Sequence, residues 1–212
     1  MRTLKNIIGT LILSVAFFGC SNQNAPATNN EEVLHDGTIN GTISNYTAGA
    51  FDAIECIQLE SSGTSLGRCT PSADGKFSIK LSTPTTLHNT YFSETGITVS
   101  DPTANYNQSV LAIYKNNNPI GFILNCNFTT VNSISSIYDL ESNLLAGNAY
   151  SVLMYADKNC TIKGSISSVN YDLTFKKGWN EVVGKKVTSS STSATTTIPS
   201  DLKWRYFLVS GN

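Results

Sequence analysis

The 212-residue chain is long enough for one domain, at most two small ones. Charged residues make up only 14% of it, whereas Ser, Thr and Asn fill 72 positions; these are poor helix formers, which argues against a helix bundle or coiled coil. A net charge of −1 without a Lys/Arg cluster excludes a nucleic-acid footprint, and two His leave little for metal or acid–base chemistry.

Arg2 and Lys5 are the only charges before residue 31. The apolar stretch Ile7 to Gly19 follows, 13 residues long. A membrane-spanning helix needs about 20 apolar residues, so a run this short after a basic start reads as the core of a secretory leader. It ends at Phe17-Phe18-Gly19-Cys20, and Ser21-Asn22-Gln23-Asn24 turns abruptly polar. A small residue, a Cys and then a polar stretch resemble the lipobox of bacterial lipoproteins. That resemblance implies cleavage before Cys20 and acylation of its thiol. An ordinary cleaved leader with a chance Cys is the competing account. Lipid anchoring is additive, at about 0.8 kcal/mol per buried CH₂, so one chain holds weakly and two or three hold stably. Ser21 is not acidic, which the resemblance reads as permission to reach an outer membrane where one exists.

Removing residues 1–19 leaves 12 basic and 15 acidic residues, a net charge of −3. Such a chain is not drawn to anionic lipid, so the acyl groups must hold it. Residues 20–35 then comprise the lipidated Cys and a tether without periodicity and with few apolar side chains. About 15 residues reach roughly 20 Å on average and about 50 Å at full extension.

From Asp36 the chain reads as short alternating runs separated by turn residues. Thr38–Ser44 alternates. Ala53–Leu59 and Ser65–Thr70 flank a Ser/Gly turn. Asp74-Gly75 opens a strand with Phe77, Ile79 and Leu81 on one face. Val110–Tyr114 and Ile120–Leu124 form a hairpin around Lys115–Pro119. Tyr150–Tyr155 and Cys160–Ile166 form another around residues 156–159. Val169–Phe175 and Leu202–Val209 complete the set. The expected fold class is all-β, an antiparallel sandwich or barrel-like body over 36–212. At most two short helical turns are expected, at Thr83–Leu87 and around Leu140 and Leu144. Thr188 to Thr197 contains only Ser, Thr and Ala and reads as a surface loop. Thr38–Ser44 (TINGTIS) and Thr161–Ser167 (TIKGSIS) match at five of seven positions, which suggests either two related halves, about 36–105 and 106–212, or chance.

The order of Gly37–Gly49, Ser72-Ala73-Asp74-Gly75-Lys76-Phe77, Thr98–Pro102, Tyr155-Ala156-Asp157 and Lys177-Gly178-Trp179-Asn180 is similar to a group of exported, uncharacterised β-rich proteins of Deinococcus-type bacteria, many of them lipoproteins. The likeness implies a β-rich exported body and brings no activity with it.

With Cys20 assigned to lipid, Cys56, Cys69, Cys126 and Cys160 remain, an even number that suggests two disulfides in an exported chain. A two-residue turn at Ser62-Gly63 places Cys56 opposite Cys69 as a non-hydrogen-bonded pair, with Cα atoms about 4.5 Å apart, within disulfide range. The same register puts Ile57, Leu59 and Leu66 on one face. Cys126–Cys160 follows by elimination. Buried free thiols are the alternative; a zinc site lacks a C-x-x-C or a nearby His.

Little else resembles chemistry. Gly63-Thr64-Ser65-Leu66-Gly67 matches G-x-S-x-G, but a nucleophile elbow needs a helix after the Ser, and a strand is expected here. His35 and His88 sit in polar segments. Asp101, Asn105 and Asn107 offer alternating oxygens without a full calcium loop, and no metal or cofactor is expected. Trp179, Trp204 and Tyr206 read as core aromatics or, less plainly, as a platform for sugar rings. The expectation is an exported, non-enzymatic envelope lipoprotein, lipid-anchored to the cell membrane or outer membrane, with a structural or accessory role. The alternative is a glycan- or small-ligand-binding β protein, and an envelope protein is a further candidate partner.

Overall fold

The computed structural model describes residues 36–59, 63–89, 92–131 and 140–209. Lipidation at Cys20, the leader and the tether lie outside the described residues.

The body is all-β. β1 (Thr38–Thr42) and β4 (Lys76–Lys80), not consecutive in the chain, form their own two-stranded antiparallel sheet. All other strands join one large sheet. Its first edge is β3 (Ser65–Cys69), beside β2 (Ala53–Gln58) and then β6 (Tyr106–Lys115). At β6 the sheet forks. Leu111–Lys115 pairs β7 (Asn118–Cys126), whereas Tyr106–Ser109 pairs β8 (Ala149–Ala156). β7 and β8 meet only at Cys126 opposite Tyr150. One arm ends with β13 (Lys203–Leu208) beside β7. The other runs from β8 through β11 (Gly178–Thr188), β12 (Ser191–Thr195), β10 (Val169–Phe175) and β9 (Cys160–Ile166) to β5 (Ile97–Val99). Only β10 and β12 run parallel. β2, β3 and β5, from the first part of the chain, thus share one sheet with strands from the second.

Strand periodicity explains the layers, since successive side chains alternate faces. Ile54 and Cys56 of β2 and Leu111 and Ile113 of β6 face one way, onto Ile39, Phe77 and Ile79 of the small sheet. Ile57, Val110 and Ala112 face the other way, onto Phe122, Phe128, Leu140 and Phe207. A third cluster fills the curl of the longer arm around Tyr106, Phe175, Ile162 and Phe92. Trp204 lies across β1: a Cβ on Gly41 would sit 2.5 Å from its Cδ1, so this approach requires glycine.

Several expectations are corrected. β8 and β9 do not pair; Asp157 instead bonds Asn105, and Asn159 accepts the Lys177 amide at 2.7 Å. Residues 188–197 are not a surface loop, because β12 lies between β10 and β11 with Ala194 buried. Thr83–Leu87 is not helical. Its Thr86 carbonyl bonds side chains across the sheet instead of an amide one turn on. The helical turn near Leu140 is present as α1 (Leu140–Asn143).

The Cys56–Cys69 pairing is also corrected. Beyond a bulge at Leu66, Cys69 lies opposite Ile54, and Cys56 lies opposite Gly67. This slip of two residues keeps both Cys on one face but moves them from directly opposed to diagonal. The slip starts at the turn, where Ile57 lies opposite Ser65, and it places Leu66 toward the small sheet, away from Ile57 and Leu59; the bulge then takes back one residue. Cys126 and Cys160 sit in different core clusters. All four are free thiols.

Candidate functional site

Each body cysteine is held separately. Burial pushes the Cys56 thiol up to about 12 and Cys126 to about 11. It raises Cys160 too, whose sulfur lies 2.9 Å from the Tyr106 hydroxyl, and also half-buried Cys69. Thiols held neutral by burial are poor nucleophiles, so none of these is placed for covalent chemistry.

The predicted aromatics are brought together, but as core. Trp179 is 2% exposed and meets Tyr155 edge-on at 5.6 Å. Trp204 meets Phe77 at 5.5 Å, and Tyr206 meets Phe51 at 5.5 Å. Both are half-buried against the small sheet and lock it onto the large one. Trp179 is thus a core residue, and Trp204 and Tyr206 pack partly buried against the same core.

The other sequence candidates do not converge. Ser65 opens strand β3, with no helix after it. His88 forms a backbone bridge to Tyr106. Asp101 caps its own loop by accepting the Thr103 amide and hydroxyl, Asn105 bonds Asp157, and Asn107 is fully buried. Among the described residues no three His, Cys, Asp or Glu are grouped to hold a metal.

What the sheet does assemble is a buried polar floor, on the face beneath the small sheet. Its first group lies where β7 leaves β8. Glu181 of β11 is buried, and its Oε1 accepts Asn125 Nδ2 of β7 at 2.8 Å and the Ser151 hydroxyl of β8. Burial holds its carboxyl above the usual range, and the two hydrogen bonds only partly counter this. The carboxyl thus bridges three strands where the ladder opens.

The second group is two strands away. Gln58 faces Ser109 across the β2–β6 ladder, and Asn107 precedes Ser109 on the same face. All three are fully buried. The Ser109 hydroxyl donates to Asn107 Oδ1 at 3.1 Å and also meets the Cys56 thiol. Gln58 Nε2 and Asn107 Nδ2 both donate to the Thr86 carbonyl, at 3.0 and 3.2 Å. Gln58 Oε1 is buried without a hydrogen-bond partner. A buried orphan of this kind costs about 1–3 kcal/mol.

The sequence carried a signal for the second group. In Ala53–Gln58, alternation places Gln58 on the face of Ile54 and Cys56, a polar residue at a core position. The first group was hidden because β11 was not read as a strand. Trp179–Val183 is buried on every residue, so no alternation marks it. No protein family model, curated protein or solved structure matches the chain.

Proposed function

We propose that the chain is a lipid-anchored module of the cell envelope with a structural or accessory role and no catalysis of its own. The observation that carries this reading is the N-terminal order: two basic residues, 13 apolar ones, then Cys20 and a polar stretch. Ser21, not being acidic, permits the anchor to reach the outer membrane in a two-membrane cell.

Intact mass measurement of the protein recovered from bacterial membranes tests this. The expected species begins at Cys20 and carries a thioether-linked diacylglycerol. Cys20→Ser abolishes the lipid and leaves the leader uncut. Recovery of a soluble cytosolic chain that retains Met1 overturns the reading, and membrane fractionation decides the leaflet system. Hydrolysis of a simple ester that disappears in Ser65→Ala would overturn the non-catalytic part.

A further inference from the structure

The segment Ser82–His88 crosses the Gln58–Asn107–Ser109 floor as a strap. It is fastened at its ends. The Ser82 amide and hydroxyl donate to the Leu66 carbonyl at 2.7 and 3.0 Å. The amide and carbonyl of His88 exchange bonds with Tyr106, both at 2.8 Å. Between these ends the Thr86 carbonyl is the one hydrogen-bonded point among the described residues. Thr83 and Thr85 are exposed, and Pro84 alone is buried. Such a segment has little to hold it down, and local opening is cheapest where bonds are fewest.

The floor beneath is out of balance. Two amide donors share one carbonyl, and one amide oxygen has no donor at all. An evolved core fills such positions with apolar groups unless the polar ones have a use.

We propose that the strap is the lid of a binding site, with Gln58, Asn107 and Ser109 as its floor, for a small neutral polyhydroxylated molecule. When the strap lifts, the two amide N–H donors are released and need acceptors, while Gln58 Oε1 needs a donor. A hydroxyl both donates and accepts, so a vicinal diol satisfies all three atoms at once. A carboxylate or phosphate would offer no proton to Oε1, and a cation would leave both amides without an acceptor. A single water would have to donate to Oε1 and accept both amides at one point, whereas a vicinal diol spreads these contacts over two oxygens. The proposal does not depend on the membrane anchor, because it uses only residues of the body.

The test uses the purified full chain and its own thiols. Cys56 meets Ser109 at the floor, whereas Cys126 and Cys160 lie in other clusters and report global opening. Labelling by dithionitrobenzoate, followed peptide by peptide, is measured alone and with glucose, galactose, mannose, N-acetylglucosamine or glycerol at about 50 mM, well above a millimolar Kd. Without ligand, Cys56 is expected to react about tenfold faster than Cys126, as local opening requires. At least one of the five compounds slows Cys56 and leaves Cys126 unchanged. Asn107→Leu, or Gln58→Met if that variant fails to fold, removes the protection. Cys56 reacting only as fast as Cys126 and Cys160 eliminates the lid. Fast Cys56 labelling that none of the five slows eliminates the ligand site and leaves a water-filled gap. If a failed anchor test accompanies successful protection, the binding site survives without the envelope assignment.

Discussion

The curl of the longer arm and the face beneath the small sheet are enclosed on opposite principles. The curl is aromatic and aliphatic: Phe92 meets Tyr106 at 5.2 Å, and Tyr106 meets Phe175 at 5.4 Å. A buried hydroxyl there, that of Tyr106, meets the Cys160 sulfur. The covered face sets Ile54, Ile79, Leu111 and Trp179 among Gln58, Asn107, Ser109 and Glu181. The curl draws its stability from apolar area removed from water. The covered face gives up part of that area to groups that are tolerable only while partnered. Damage to the curl should therefore show as lost volume, and damage to the covered face as lost partners or altered pH response.

Phe175→Ala sharpens this most. Phe175 is 1% exposed, and its removal should cost about 3–5 kcal/mol in urea denaturation, from lost transfer energy and a cavity. Ser109→Ala removes little volume and leaves Asn107 Oδ1 without its donor, which should cost about 1–3 kcal/mol. A Ser109 effect that equals or exceeds the Phe175 effect would erase the distinction between the two regions.

Gly41→Ala probes how the covered face is closed. The added methyl would sit 2.5 Å from Trp204 Cδ1 and 2.7 Å from Phe77 Cε1. Those rings pack edge-to-face, so one must leave its place, and overpacking should cost about 1–3 kcal/mol. A shift in tryptophan fluorescence should accompany the loss. An unchanged spectrum with unchanged stability would mean that Trp204 is not pinned over β1.

Glu181 gives the covered face its pH response. Its folded carboxyl is raised from the ordinary 4.5 by burial, so the folded state favours the protonated acid. The resulting stability is fully present below about pH 4.5 and is lost as pH climbs through the raised folded value. Gln is nearly isosteric and keeps an oxygen for Asn125 and Ser151. Glu181→Gln should therefore gain about 1 kcal/mol at neutral pH and flatten the stability profile above pH 4.5. A destabilised variant at neutral pH would show that the charged form is the one the fork requires.

Much of the fold was written in local pattern. Phe77, Ile79 and Leu81 alternate and are all buried, and the Asn-rich turn after Lys115 adopts the positive φ of 50° and 61° at Asn116 and Asn117 that a two-residue hairpin needs. What was illegible has physical causes. β12 has Ala194 as its one apolar side chain, so it exists because β10 and β11 offer it two edges. Near the turn Ile57 lies opposite Ser65, three residues off the register of a two-residue Ser62-Gly63 loop, and the bulge at Leu66 takes back only one of them, so Cys56 misses Cys69. Of the candidate floor, Gln58 was legible as a polar residue on an apolar face. Its partner Thr86 lies 28 positions away on a strap that looked helical.

The smallest expected effect lies at the rim of the covered face, where β13 presents its outer edge. Asn45 covers that edge with one side chain: its Oδ1 accepts the Tyr206 amide and its Nδ2 donates to the Tyr206 carbonyl, both at 3.0 Å. The amide thus imitates one residue of a neighbouring strand, and the Ser44 amide extends the imitation by donating to the Trp204 carbonyl at 2.8 Å. Asn45 is exposed, so water replaces most of what Asn45→Ala removes, and stability should fall by only about 0.5 kcal/mol. Hydrogen exchange resolves what the stability measurement barely sees. The Tyr206 amide should lose protection, whereas that of Phe207, which faces β7, should keep it. Equal loss at both would mean that Asn45 supports the whole strand. No loss at either would mean that the edge is held by Ser44 and by the packing of Trp204 and Tyr206 alone.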